Sequence, residues 1–168
     1  MNEKYELTDE IKYVAGYELY RIRALRDFSD VKAGDFGGYI WKEDNLSHEG
    51  NCWVYDDAKV YGYAEVSENA KLSKYTHVNG YAKVYGNARL SGVIYIYGHS
   101  HVYGDSHVGR YIQVGDYAHV CGNAHVSIAY SARICGDIKI DHGIWLHHTK
   151  IDGKIYMVSS TLEKVLLE

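Results

Sequence analysis

The sequence predicts an all-β chain wound into a parallel solenoid with triangular coils. Three observations carry this prediction. An aliphatic residue recurs every six positions, a mostly small residue sits two places before it, and corner residues repeat every 18. Self-similarity at a fixed period marks a repeat architecture, in which each unit buries its apolar side only by stacking on its neighbours.

The aliphatic series runs Val54, Val60, Val66, Leu72, Val78, Val84, Leu90, Ile96, Val102, Val108, Val114, Val120 and Val126. The partner series includes Cys52, Ala58, Ala64, Ala70, Thr76, Ala82, Ala88, Ser100, Ser106, Ala118 and Ala124, with Ile94 and Ile112 as larger members. Strand residues two apart point to the same side, so both series face inward and the residue between them faces out. Glycine is frequent two places after the aliphatic, as at Gly62, Gly80, Gly86, Gly92, Gly98, Gly104 and Gly122, where a corner calls for a residue that tolerates positive φ. One corner column is Asn69, Asn87, Asp105 and Asn123. A second is Tyr63, Tyr81, His99 and Tyr117, and a third is Asp57, Tyr75, Val93 and Tyr111. Three faces to a coil explain why these columns return every third hexad.

The ladder is interrupted between Leu46 and Val54 and between Val126 and Ile134, each by two extra residues, and is expected to resume at Ile134, Ile140 and Leu146. Residues 1–39 lie outside the hexad pattern. YELYRIRAL from Tyr17 alternates as a strand does, and KYEL before it is a pairing partner, so this segment is read as a β cap. Residues 40–152 form the solenoid. Residues 153–168 are a strand and helix cap, with SSTLEKVLLE forming a short helix whose Ser160 and Glu163 have capping-box spacing.

The hexad VYGNAR, Val84 to Arg89, resembles the hexapeptide repeat of the left-handed parallel β-helix, which implies that winding sense here. The stretches DFSDVKAGDFGGYI and NLSHEGNCWVYDDA, together with the repeats, are similar to YdcK-like proteins, a β-helix family of bacteria and their phages that carries a transferase-like label.

Composition narrows the function classes. With 18 basic and 22 acidic residues, the chain lacks the positive surface of an electrostatic nucleic-acid binder. No apolar run approaches the ~20 residues that span a bilayer, and the acidic opening MNEKYELTDE does not read as a signal peptide. Cys52, Cys121 and Cys135 make an odd, unpaired set, which favours a reducing, cytoplasmic setting over a disulfide framework; Cys121 and Cys135 are expected to face outward.

Two enzyme classes use a scaffold like the one the repeat resembles. Hexapeptide acyltransferases hold acetyl-coenzyme A between subunits and carry a histidine on a coil or an extruded loop. Here His101 and His119 are the candidates, one coil apart and outward facing, but no loop is extruded and no basic cluster is evident. The H-x4-H spacing of His142 and His147 resembles the paired zinc ligands of gamma-class carbonic anhydrases. A third ligand is missing at the matching position; His107 lies at the right distance but precedes Val108 instead of following it. His107 and His125 stack as a further pair with solvated or metal-binding readings.

The outward tyrosines point elsewhere. Tyr61 and Tyr97 share one face with Tyr95 beside them, and Tyr85 and Tyr103 share the next. Tyrosine couples broad apolar area to a polar tip and is enriched at interfaces, although it also has high β propensity in its own right. The leading expectation is therefore a non-enzymatic scaffold that binds a protein partner or itself as a dimer or trimer, an accessory role that the phage link of the YdcK-like family also implies. An acetyl-coenzyme A-dependent acyltransferase is the alternative, and a zinc hydratase the third reading.

Overall fold

The computed structural model describes residues 3–128, 132–136, 139–141, 144–146, 149–152 and 156–157. The chain is an all-β parallel solenoid of about five turns. Among the described residues the sole helical element is a 3-10 turn, Glu43–Asn45. The helix expected in SSTLEKVLLE, and both His142 and His147, lie outside the described residues.

The chain opens with β1 (Tyr5–Val14) and β2 (Tyr17–Ala24), an antiparallel hairpin closed by Ala15 and Gly16, both at positive φ as a two-residue hairpin turn requires. Next, β3 (Phe36–Ile40) runs antiparallel to β2 and parallel to Lys59–Val60 on the first coil, so the hairpin continues one sheet of the solenoid. Tyr5, Ile22, Phe28, Val31 and Trp53 are buried and join the same apolar cluster as the coil interior.

Each coil then lays down three short strands. Lys71–Leu72, Arg89–Leu90, His107–Val108 and His125–Val126 stack as one face. Lys59–Val60, His77–Val78, Tyr95–Ile96 and Gln113–Val114 form the second. Glu65–Val66, Lys83–Val84, His101–Val102, His119–Val120 and Lys139–Ile140 form the third. In every pair the aliphatic residue is inward. Val60, Leu72, Val78, Val84, Val102, Val114 and Val120 are completely buried, as are Ala58, Ala64, Ala70, Ala82, Ala88, Ala118 and Ala124.

The corners follow from two constraints at once. Gly86 has φ +70°, and a Cβ there would lie 2.7 Å from the amide nitrogen of Gly104, directly beneath it in the next coil. A side chain would be strained by its own backbone and blocked by its neighbour's. The first insertion is a local bulge: Asn51 and Cys52 both donate their amides to the Glu68 carbonyl, and Gly50 turns there with φ +65°. The second shifts the register from 18 to 20, since Val108 pairs with Val126 but Ile112 pairs with Ala132. The ladder resumes at Ile134 and Ile140, both buried, but Val126 pairs with Ile144 instead of leading on to Leu146, because the strand opposite it keeps the 18-residue register.

Ile94 is fully buried at a position where most coils place a smaller residue. Ile94→Ala is expected to lower unfolding free energy by about 2–4 kcal/mol through lost burial and an unfilled cavity, measured by urea denaturation of the full chain.

Candidate functional site

Stacking in register turns each outward position into a column of side chains, and the candidate sites are columns. The third face carries His101 and His119. Their rings lie 4.8 Å apart at 27°, a stacked pair. At the neighbouring corner Tyr85 and Tyr103 stack at 4.9 Å and 1°. The two stacks meet edge to face, with Tyr85 to His101 and Tyr103 to His119 each at 6.1 Å. The result is a two-by-two aromatic block spanning two coils. Glu65 and Lys83 lead the same column as an ion pair at 3.0 Å.

Partial burial, with His119 alongside, holds the His101 imidazole below the ordinary histidine value, because a charged ring would be poorly hydrated and would repel its neighbour. His101 is therefore neutral near pH 7, with a lone pair able to accept a proton. A hydrogen bond with Cys121, then burial, pushes the Tyr103 hydroxyl up to about 12.

The first face adds something that reading hexads one at a time does not reveal. Lys71, Arg89, His107 and His125 are spaced 18 apart and form one basic column. Beside it the corner amides form a hydrogen-bonded ladder: Asn51 donates to Asn69 at 3.2 Å, Asn69 to Asn87 at 3.0 Å and Asn87 to Asp105 at 2.8 Å. Together with Ser29, Lys71, Arg89 and His107 these corner residues line an open groove. Lys71 is partly committed, being paired with Asp30. Arg89 is exposed in the groove. Residues far apart in sequence thus become neighbours at one coil's spacing, with Arg89 the exposed cation among them.

The expected metal ligands fare differently. His107 and His125 stack at 4.5 Å and 17°, and His107 Nδ1 lies 3.0 Å from the Asp105 carbonyl oxygen. Nearly parallel rings direct their nitrogens side by side instead of toward a common point, which is a poor arrangement for a single tetrahedral ion. Among the described residues no group of three or more His, Cys, Asp or Glu is placed to hold a metal.

The tyrosines divide. Tyr95 is exposed on the second face, against His77 at 5.1 Å. Tyr61 was expected on the open surface but is only 8% exposed, because Tyr17 of the hairpin packs on it at 5.3 Å. Tyr97 lies across Gly115, where a Cβ would come within 2.2 Å of its ring, and its hydroxyl reaches Cys135 Sγ at 3.5 Å. Arg133 Nε donates to that same sulfur at 2.9 Å. Cys121 and Cys135 are accordingly buried, not exposed as expected, since tyrosine hydroxyls from earlier coils reach over them. The broadest exposed aromatic run is the corner column Tyr63, Tyr81, His99 and Tyr117, stacked at 4.9–5.2 Å and nearly parallel. Its ring faces are spent on one another, so it offers edges and hydroxyls outward.

No family model matches the chain. It is similar to a protein of Escherichia coli (strain K12) described as uncharacterized acetyltransferase YdcK, with 39% identity over 79 residues, or 42% of this chain and 24% of that protein. The chain thus spans about a quarter of the length of the curated relative it matches. Among the described residues no helix is long and apolar enough to cross a membrane.

Two outcomes test this geometry. Burial, then the nearby Lys59 charge, lowers the His77 pKa to about 4. The unfolded chain takes up that proton near the ordinary value while the folded chain does not. Stability is therefore full above about pH 6.5 and falls as pH drops toward 4, by on the order of 2 kcal/mol after allowing for solvent screening. His77→Gln should flatten that slope in denaturant titrations between those pH values. Gly115→Ala should displace the Tyr97 ring and raise the rate at which a thiol reagent labels Cys135 by roughly tenfold or more.

Proposed function

We propose that the solenoid is an acyl-coenzyme A-dependent acyltransferase in which His101, supported by His119, is the general base. The observation that carries this reading is the stacked, partly buried pair, in which one imidazole stays neutral at working pH. The similarity to a protein named as an acetyltransferase supports it, and so does the basic column across the intervening corner. That support favours the transferase alternative over the non-enzymatic reading that the sequence suggested first.

In this scheme the His101 ring accepts a proton from an acceptor amine or hydroxyl as that atom attacks the thioester carbonyl. The new acyl bond forms, the carbon–sulfur bond breaks, and the departing thiolate takes up the proton. Arg89 faces the phosphates of the carrier and is the residue best placed to pair bidentately, with Lys71 beside it. Tyr85 and Tyr103 wall the site and limit water.

A second reading rests on the exposed aromatic columns, Tyr95 on its face and Tyr63, Tyr81 and Tyr117 at their corner. There the chain is a docking or self-assembly module, as a dimer or trimer or with a protein partner.

Thiol release from acetyl-coenzyme A is to be followed with a panel of amines and hydroxyl acceptors, alongside calorimetric binding of acetyl-coenzyme A. Turnover is expected to fall by about 100-fold or more in His101→Asn, with smaller losses in His119→Asn. Arg89→Ala is expected to raise KM for the carrier with kcat little changed. Absence of both binding and turnover, with assembly lost in a Tyr63, Tyr81 and Tyr117 to Ser variant by sedimentation, would favour the second reading.

A further inference from the structure

We infer that Lys4 and Cys52 form an oxidative modification site, closing on exposure to a hydroperoxide into a covalent bridge with one oxygen atom between Lys4 Nζ and Cys52 Sγ. The two atoms lie 3.2 Å apart, and both residues are completely buried. The amine is fixed by more than the thiol. It donates to the Cys52 carbonyl at 2.9 Å and to the Glu49 carbonyl at 3.4 Å, and it lies over the Phe28 ring at 5.3 Å. The Lys4 amide donates to His48 Nδ1 at 3.2 Å, which anchors the backbone as well. Few lysines are fully buried, and this one faces a thiol instead of a carboxylate.

Chemistry and distance select the product. Burial keeps the Lys4 amine below the ordinary lysine value and so favours the neutral, nucleophilic form. A first peroxide oxidises the thiol to a sulfenic acid with loss of one water. A second removes the two further electrons needed to join the sulfenic oxygen to the amine nitrogen, with loss of two more waters. One N–H and one S–H bond are broken and N–O and O–S bonds remain. A direct sulfur–nitrogen bond would require the 3.2 Å separation nearly to halve, whereas an intervening oxygen spans it with little movement. Access for the oxidant requires transient local opening around Lys4. The bridge would tie Lys4 to the first coil across a sequence separation of 48 and so stabilise the end of the solenoid.

The full chain is treated with hydrogen peroxide and examined by intact mass and peptide mapping. The expected result is a gain of about 14 Da, one oxygen in and two hydrogens out, with the Lys4 and Cys52 peptides joined. Dithiothreitol should restore the starting mass, and the bridged form should melt at a higher temperature. Lys4→Arg keeps N–H donors among the same carbonyls but cannot form the bridge, and Cys52→Ala removes the sulfur; both should stay unlinked. Oxygen gain confined to Cys52, a loss of about 2 Da marking a direct sulfur–nitrogen bond, or joined peptides in the Lys4→Arg chain would each overturn the inference.

Discussion

Everything in this molecule depends on the main-chain hydrogen bonds between successive coils. Lys83, Tyr85, Asn87 and Arg89 donate their amides to Ser100, Val102, Gly104 and Ser106, at 2.8–3.0 Å. This ladder does not pause at the corners. Backbone groups that a globular protein satisfies within hairpins are in the coils satisfied mostly by the coil above or below, with a few bonds inside a coil such as the Ala82 amide to the Asn79 carbonyl. A coil therefore has to repeat the path of its neighbour, and equivalent side chains fall on top of one another. Layers rich in Val and Ala then fill the interior, because each layer meets another of nearly the same shape.

That constraint also decides what kind of site the fold can offer. Side chains are presented as columns at coil spacing, not as constellations gathered on loops. Planar groups respond by stacking: tyrosines at two corners, histidines on two faces and amides beside the tyrosines at one of those corners. Stacking uses up ring faces and leaves edges, hydroxyls and imidazole nitrogens outward. It sets imidazoles side by side, which suits proton transfer by a neutral ring better than enclosure of a metal ion. It also lets residues that are unremarkable alone, such as Lys71, Arg89 and His107, combine into one basic stripe.

The start of the solenoid is built differently because its first coil has no coil before it. Carbonyls at Glu49 and Cys52 meet the Lys4 amine, Trp53 is enclosed by Tyr5 and Phe28, and Tyr61 is covered by Tyr17. These contacts use residues outside the repeat, which periodicity cannot place. Here the hairpin turns a position that would be surface in the middle of the stack into core.

By itself, the sequence determined the coil. A period of six with small and aliphatic partners forces inward and outward alternation, and a period of 18 in the corner residues forces three faces. The corner columns, the stacked histidine pairs and both insertions were legible for that reason. The burial of Tyr61, Cys121 and Cys135, the crossing of Tyr97 over Gly115, the basic column and the Lys4–Cys52 contact were decided only by the tertiary structure. Each depends on how far a side chain reaches to another coil or to the hairpin. A periodic pattern specifies which residues share a column, but reach and cover are set by packing in three dimensions.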